Sequence, residues 1–410
     1  MDLVSGCPFW PLKNGLLASY PALDADVSCE IAVVGGGISG ALAAFHLVEA
    51  GLDVVLLDRR DVATGSTAAS TSLLQAETDV PLHRLVKRVG ERGAVRSQEL
   101  GIEAIDWIEK FSARLEQKAG FARRDCFYLA RTRGDLPELR REFDVRRRLG
   151  FDVELLGRQE LRAISSLPHH AAILSRGAAE VDVHRLTHGL LSKVQQRGGR
   201  VFDRTAVSEY RFSPRGVKLR TLRGPEVRAR KVVLATGYEA AVDLRGVPVA
   251  LHSTYAVVSE PLENFSGWPK RSLLWETARP YYYLRTTTDG RAVIGGGDVP
   301  FRDARARDAL LASKGRGLAR KFREWFPEIP FETGYSWAGT FAETPDGLPY
   351  IGAHLAFPNA YFALGYGGNG VTFSAIAAKI IRDLCLGRIN PDVDIFGLER
   401  KRAKFGSRGK

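Results

Sequence analysis

The sequence predicts an α/β protein in which a Rossmann-type nucleotide-binding domain is interleaved with a second domain built on a mainly antiparallel sheet. Three observations carry this expectation. The apolar run Ile31-Ala32-Val33-Val34 feeds a G-x-G-x-x-G turn at Gly35, Gly37 and Gly40. Strand-like alternation recurs over 251–260, 280–288 and 292–297 without intervening helices, as in an antiparallel sheet. A second glycine-rich turn, Gly365-Tyr366-Gly367-Gly368-Asn369-Gly370, opens a helix near the other end of the chain. With 410 residues, the chain exceeds what one hydrophobic core usually fills.

In the first unit each glycine has a physical task. Gly35 permits the tight turn, Gly37 allows a pyrophosphate to approach the backbone, and Gly40 lets the helix pack on the strand. The helix carries Ala41, Ala44, Phe45, Leu47 and Val48 at helical spacing and closes at Gly51; a second apolar strand then ends on Asp58. That acid lies about 20 residues beyond the glycines, where a Rossmann unit binds ribose hydroxyls. On these residues alone NAD, NADP and FAD all remain open.

The small-residue stretch 61–74 suits a backbone lying against a ligand, and helical patterns follow from about Leu82 to Lys118. A helix is expected over 178–197, and strands over 200–211, 216–222 and 226–235, the last ending at Ala235-Thr236-Gly237. A helix over 305–326 completes the second domain. Strands at 335–344, near 350 and at 360–364 then lead into the Gly365–Gly370 turn, followed by the apolar face Val371, Phe373, Ile376, Ala377, Ile380, Ile381 and Leu384.

The net charge is +12, with clusters at Arg140-Arg141, Arg146-Arg147-Arg148 and Arg400-Lys401-Arg402. Acids alternate with the first two clusters along a helix and no aromatic-interleaved signature accompanies them, so they read as solvated faces and not as nucleic-acid surfaces. Four scattered cysteines lack ligand spacing, which argues against a metal site or a disulfide framework. No secretory signal or membrane-length apolar run is evident, and a cytoplasmic location is expected.

Residues 31–58, 232–237 and 335–397 together resemble the FAD-dependent D-amino-acid-oxidase/sarcosine-oxidase superfamily, the amine-oxidising branch of the glutathione-reductase-like flavoproteins. The order of parts carries the resemblance: the first glycine turn, Asp58, Gly65-Ser66, Ala235-Thr236-Gly237, Asp346-Gly347-Leu348-Pro349-Tyr350-Ile351-Gly352, the second glycine turn and the ending Asp394-Ile395-Phe396. It implies FAD; the noncovalent attachment expected here follows from a departure from the family, Gly339 in place of its flavin-linking cysteine. The adenosine diphosphate would lie against Gly35, Gly36, Gly37, Ile38, Ser39, Gly40, Asp58 and Arg59, with Val207, Thr236 and Gly237 nearby. The flavin end would meet Gly65, Ser66, Thr67, Gly367, Gly368, Asn369, Gly370, Val371 and Thr372. A helix start at Gly370 would stabilise negative charge on a reduced flavin.

The expected organisation is a lead-in over 1–29, an FAD-binding domain over 30–90, 155–245 and 336–400, a substrate domain over 91–154 and 246–335, and a basic tail over 401–410. Departures from the family bear on the substrate. The arginine clamp for a substrate carboxylate is replaced by Phe341, and the cationic positions of the sarcosine-oxidase pattern hold Gln75 and Thr372. Gly339 stands where that pattern has a flavin-linking cysteine, and the strand Ala292–Gly295 lacks its lysine, leaving open oxygen or another electron acceptor. Glu77 and Asp79 invite a cationic amine, or form a surface helix start.

The candidates for catalysis or substrate contact are Gln75, His252, Tyr283 and Arg285, the last two sharing a strand face with Tyr281. The expected reaction is oxidation of a C–N bond in a small amine or amino acid to an imine. A 2-hydroxy-acid dehydrogenase and a noncatalytic flavin-binding subunit are the alternatives.

Overall fold

The computed structural model describes residues 2–239 and 247–400. The expected tail, 401–410, lies outside them, as does the expected domain border at 245/246.

Two sheets organise the chain. In the smaller, five strands run parallel in the order Ala360–Leu364, Glu226–Leu234, Val27–Val34, Val54–Leu57 and Arg200–Phe202, with Tyr350–Ala353 antiparallel at one edge. A hairpin, Val207–Ser213 with Gly216–Thr221, is joined to Glu226–Leu234. Alternate residues face opposite ways. Ile31, Val33, Val54 and Leu56 join a core with helices Ile38–Glu49, Val183–Gln196 and Gly370–Cys385. Ala32, Val34, Val55 and Leu57 pack toward the hairpin side with Val217 and Leu219. Burial on both faces explains why these strands read as continuous apolar runs.

The larger sheet runs Val4–Gly6, Thr333–Glu343, Ala250–Ser259, Ala292–Pro300, Tyr282–Thr286, Leu273–Glu276, Ala122–Ala130, Ala171–Glu180 and Leu73–Leu74, with Val153–Gly157 also on Ala171–Glu180. Its pairs are antiparallel except Leu273–Glu276 with Ala122–Ala130. Helix Ala304–Trp325 covers one face through Leu318, Phe322 and Trp325. Trp268 stacks on Phe326 at 4.8 Å, and each such buried ring contributes roughly 1.5–3 kcal/mol.

Several boundaries differ from the expectation, each for a local reason. Residues 178–180 are strand, not helix, because Asp182 caps the helix start by accepting from the Arg185 N–H at 3.0 Å. The strands within 155–180, expected with the nucleotide half, pair in the larger sheet. Strand Thr333–Glu343 crosses the expected 335/336 border and pairs with Ala250–Ser259 along its length. The lead-in supplies an edge strand to the larger sheet, and its last residues already belong to Val27–Val34.

Candidate functional site

The parallel strands end at a cavity of about 790 Å³ that runs from the first glycine turn to the second and on to the larger sheet. At its nucleotide end Gly35 adopts φ +111°, and a Cβ there would overlap the Ala235 carbonyl oxygen. The Gly35 N–H donates to Leu57 O at 2.8 Å, and the Ala235 N–H donates to Val34 O at 2.9 Å, fixing the turns at the ends of adjacent strands. Asp58 accepts from the Gly36 N–H at 2.6 Å and the Arg60 N–H at 2.7 Å. Burial raises its pKa against these hydrogen bonds and the charges of Arg60 and Arg59. Tyr210, Phe212, Phe357 and Phe362 wall this end, apolar surface suited to an adenine ring.

The second turn meets the first directly. Ser39 and Ser374, from the opening turns of helices Ile38–Glu49 and Gly370–Cys385, are hydrogen-bonded at 2.7 Å. The Ile38 N–H donates to Thr67 Oγ1 at 2.9 Å, drawing the Gly65–Thr67 loop onto the same helix start. Asn369 donates its side-chain amide to the carbonyls of Glu77 and Gln75, at 2.6 and 3.2 Å. Asp79 accepts from the Gly368 N–H and from the Tyr281 hydroxyl, both at 2.7 Å. Gly367, at φ +57°, gives the turn a backbone that a side chain would strain.

These residues fit FAD. The cavity is long enough to connect an aromatic-walled adenine end with a helix start at Gly370, and crowded glycines keep both turns open to a ligand. Gly339 faces the cavity, and none of the described lining residues is a cysteine.

The substrate end is bounded by Gln75, Trp275, Tyr281, Tyr283, Thr254, Asp298 and Phe341. Tyr283 lies over Gly295, where any Cβ would overlap its ring. Burial, reinforced by Asp298, pushes the Tyr283 phenol up to about 12 despite hydrogen bonds with Thr254 and Thr71, so it remains a neutral donor. Gln75 donates its amide to Cys126 Sγ at 3.0 Å. Glu77 is buried and pairs with the buried Arg146 at 3.0 Å.

Among the residues expected at the cofactor, Gly35, Gly37, Ile38, Ser39, Asp58, Arg59, Gly65, Ser66, Thr67, Val207, Thr236, Gly237, Gly367, Gly368, Asn369, Gly370 and Val371 line the cavity. Gly36, Gly40 and Thr372 do not. Gly36 holds Asp58, Gly40 presses on Gly35, and Thr372 is buried within its helix.

Two expected substrate contacts need correction. Arg285 is 1% exposed and lies outside the wall, donating to the carbonyls of Thr286, Thr71, Ser72 and Val181 at 2.7–3.1 Å, with Glu180 3.6 Å away. These acceptors occupy its Nε and Nη1. His252 is buried beside Phe341 with its Nε2 3.4 Å from Glu343, and it does not line the cavity. Asp298 and Trp275 are wall residues the sequence reading missed; for Asp298 the signal was Gly295-Gly296-Gly297-Asp298, three glycines and an acid inside a strand.

Comparison with known proteins agrees with this architecture. Gamma-glutamylputrescine oxidoreductase of Escherichia coli (strain K12) is 27% identical over 380 residues, covering 90% of this chain and 86% of that protein. Glycine oxidase of Geobacillus kaustophilus (strain HTA426) is 27% identical over 391 residues, covering 92% and 98%. The crystal structure of L-proline dehydrogenase from P. horikoshii shares the fold with a TM-score of 0.74 at 20% identity, covering 92% of this chain and 98% of that one. No helix among the described residues is long and apolar enough to cross a membrane. The model of the DAO family matches residues 30–384, and the chain therefore belongs to this family of FAD-dependent oxidoreductases.

Proposed function

We propose that the protein oxidises a C–N bond of a small amine or amino acid to an imine, which water then hydrolyses. The observation that carries this reading is the single cavity joining two glycine turns to a wall of tyrosines and carboxylates. FAD supplies the hydride acceptor when bound. This chain's residues do the rest. Gly35–Gly40 and Asp58 hold the adenosine diphosphate, and the helix start at Gly370–Thr372 favours negative charge at the flavin end. Gln75, Tyr281 and Tyr283 orient the substrate carbon, and the aromatic wall limits water. Relatives named for glycine and gamma-glutamylputrescine support an amine substrate.

The electrons pass to oxygen or to another acceptor. Arg59 and Arg60, both beside Asp58, are the cations among the described lining residues. Anaerobic titration of the FAD-loaded protein tests the reaction: amines or amino acids should bleach the flavin, and bleaching by 2-hydroxy acids alone would overturn it. No bleaching by any of these would favour a noncatalytic subunit. Stopped-flow mixing of the reduced protein with air-saturated buffer tests the acceptor, and rapid peroxide formation would establish an oxidase.

A further inference from the structure

One carboxylate at the substrate end is built into the wall by a deliberate irregularity. Strand Ala292–Pro300 pairs with Ala250–Ser259 at Gly296–Tyr255 and at Val299–Ser253, and the register shifts between them. Gly296 at φ +124° and Gly297 at φ +69° supply the left-handed backbone, and a Cβ on Gly296 would overlap the Tyr281 carbonyl oxygen. Such a bulge re-aims the side chain that follows it. Here Asp298 and Thr254 come to the cavity wall together.

The other acids of the cavity are already satisfied. Asp58 is held by two backbone N–H groups at the nucleotide end. Glu77 is neutralised by Arg146, and Asp79 takes one donor on each oxygen. Asp298 alone among these four has a buried oxygen, Oδ1, without a hydrogen-bond partner, while the residue as a whole is only partly buried where it meets the cavity. A buried carboxylate oxygen left open is unfavourable until a proton or a cation completes it.

We propose that Asp298 receives the substrate's ammonium group and takes its proton, so that the enzyme recognises its substrate through the amine and not through a carboxylate. This rests on the C–N oxidation reading above. In the step, one N–H bond of R2CH–NH3+ breaks, its electron pair stays on nitrogen, and an O–H bond forms on the Asp298 carboxylate. The products are the neutral amine R2CH–NH2 and the protonated carboxyl. The nitrogen lone pair then assists departure of hydride from the adjacent carbon, and Asp298 returns its proton to solvent. No oxidant beyond FAD is involved.

The electrostatics suit the role. Burial pushes Asp298 up to about 7 against the Thr254 hydrogen bond, with Asp79 and Glu343 adding to the rise and Lys314 opposing it. The Lys314 ammonium is itself bonded to the Gly297 carbonyl. The facing phenols Tyr255, Tyr281 and Tyr283 are all raised and stay neutral. The same burial that disfavours the carboxylate disfavours an ammonium beside it, bringing the two proton affinities together.

The test uses the FAD-loaded protein, the near-isosteric variant Asp298→Asn, and cumylamine, an ammonium whose α-carbon bears no hydrogen and so cannot be oxidised. Binding is read from the flavin spectrum and by calorimetry against the neutral analogue 2-phenylpropan-2-ol. The protein should bind the amine about tenfold or more tightly than the alcohol, as expected for a charge-assisted hydrogen bond. Its affinity for the amine should rise nearly tenfold between about pH 6 and pH 8, following ionisation of a carboxyl near 7. Asp298→Asn should lose both effects while retaining the flavin spectrum and melting temperature, and Asp298→Glu should restore part of the preference. Equal affinity and pH profile in Asp298→Asn, or equal binding of amine and alcohol by the unsubstituted protein, overturns the assignment. Anaerobic bleaching separates the two readings: amines that bleach the unsubstituted protein and Asp298→Asn equally well overturn the role of Asp298 and leave C–N oxidation standing. Bleaching of the unsubstituted protein by 2-hydroxy acids and by no amine overturns both.

Discussion

Gly40 and the carbonyl oxygen of Gly35 touch across the first turn, so closely that a Cβ at position 40 would overlap that oxygen. Gly40→Ala should therefore destabilise the protein by about 3 kcal/mol, as overpacking against backbone does, and abolish FAD retention. Gly317→Ala is the control, because Gly317 lies in helix Ala304–Trp325 with open space around its α-carbon. That change should add roughly 0.5–1 kcal/mol. Thermal melts and flavin absorbance after gel filtration check both.

Replacing Arg285 should expose it as a structural residue. Arg285→Lys keeps the positive charge beside the buried Glu180 but removes most of the donors that tie Thr71, Ser72 and Val181 together. The expected loss is about 3 kcal/mol of stability, the cost of breaking a buried charged network. The KM of any substrate should change less than twofold or so. A KM increase confined to carboxylate-bearing substrates would return Arg285 to the substrate site.

Acid should weaken the protein through Glu142. Burial alone would raise this carboxyl, but Arg146 and hydrogen bonds from His83 and Leu82 bring it from 4.5 down to about 2. The folded value is depressed, so the stability it contributes is present above the unfolded value near 4.5 and is lost as pH falls toward 2. The amount is about 3 kcal/mol. Denaturant titrations should show Glu142→Gln less stable than the unsubstituted protein at pH 7, with the gap closing between pH 4.5 and 2.

Phe341 occupies the wall where the family pattern places a carboxylate clamp. Phe341→Arg should lower the KM for α-amino acids by about tenfold through paired N–H···O bonds, while leaving amines without a carboxylate no better bound. Steady-state kinetics on matched amine and amino-acid pairs give the comparison.

The residues that could be found from sequence are those whose chemistry imposes a composition. Gly35 and Gly40 are needed by close backbone contacts, Gly37 by its approach to Thr67 Oγ1, Asp58 by its place at a strand end, and Gly365–Gly370 by the second helix start. Strand Ala122–Ala130 was hidden because Arg123, Arg124 and Asp125 interrupt its apolar pattern, the charges of the two arginines being met by Asp106, Glu109 and Glu180 from elsewhere in the chain. Arg285 was misread for a related reason. Three of its four carbonyl acceptors lie more than a hundred residues away in sequence, at Thr71, Ser72 and Val181. Asp298 left a local signal in its preceding glycines, but its open oxygen depends on the partners that Glu77 and Asp79 have acquired in three dimensions.

The hydrogen bond between Ser39 and Ser374 joins segments more than three hundred residues apart in sequence. A ligand that grips both turns therefore acts as a clasp on the whole polypeptide, because both grips can be made together only once these distant segments have met. Folding dominated by such remote pairings is slow. Cofactor supply should thus govern how long newly made chains survive, since mass action rewards the closed ring alone.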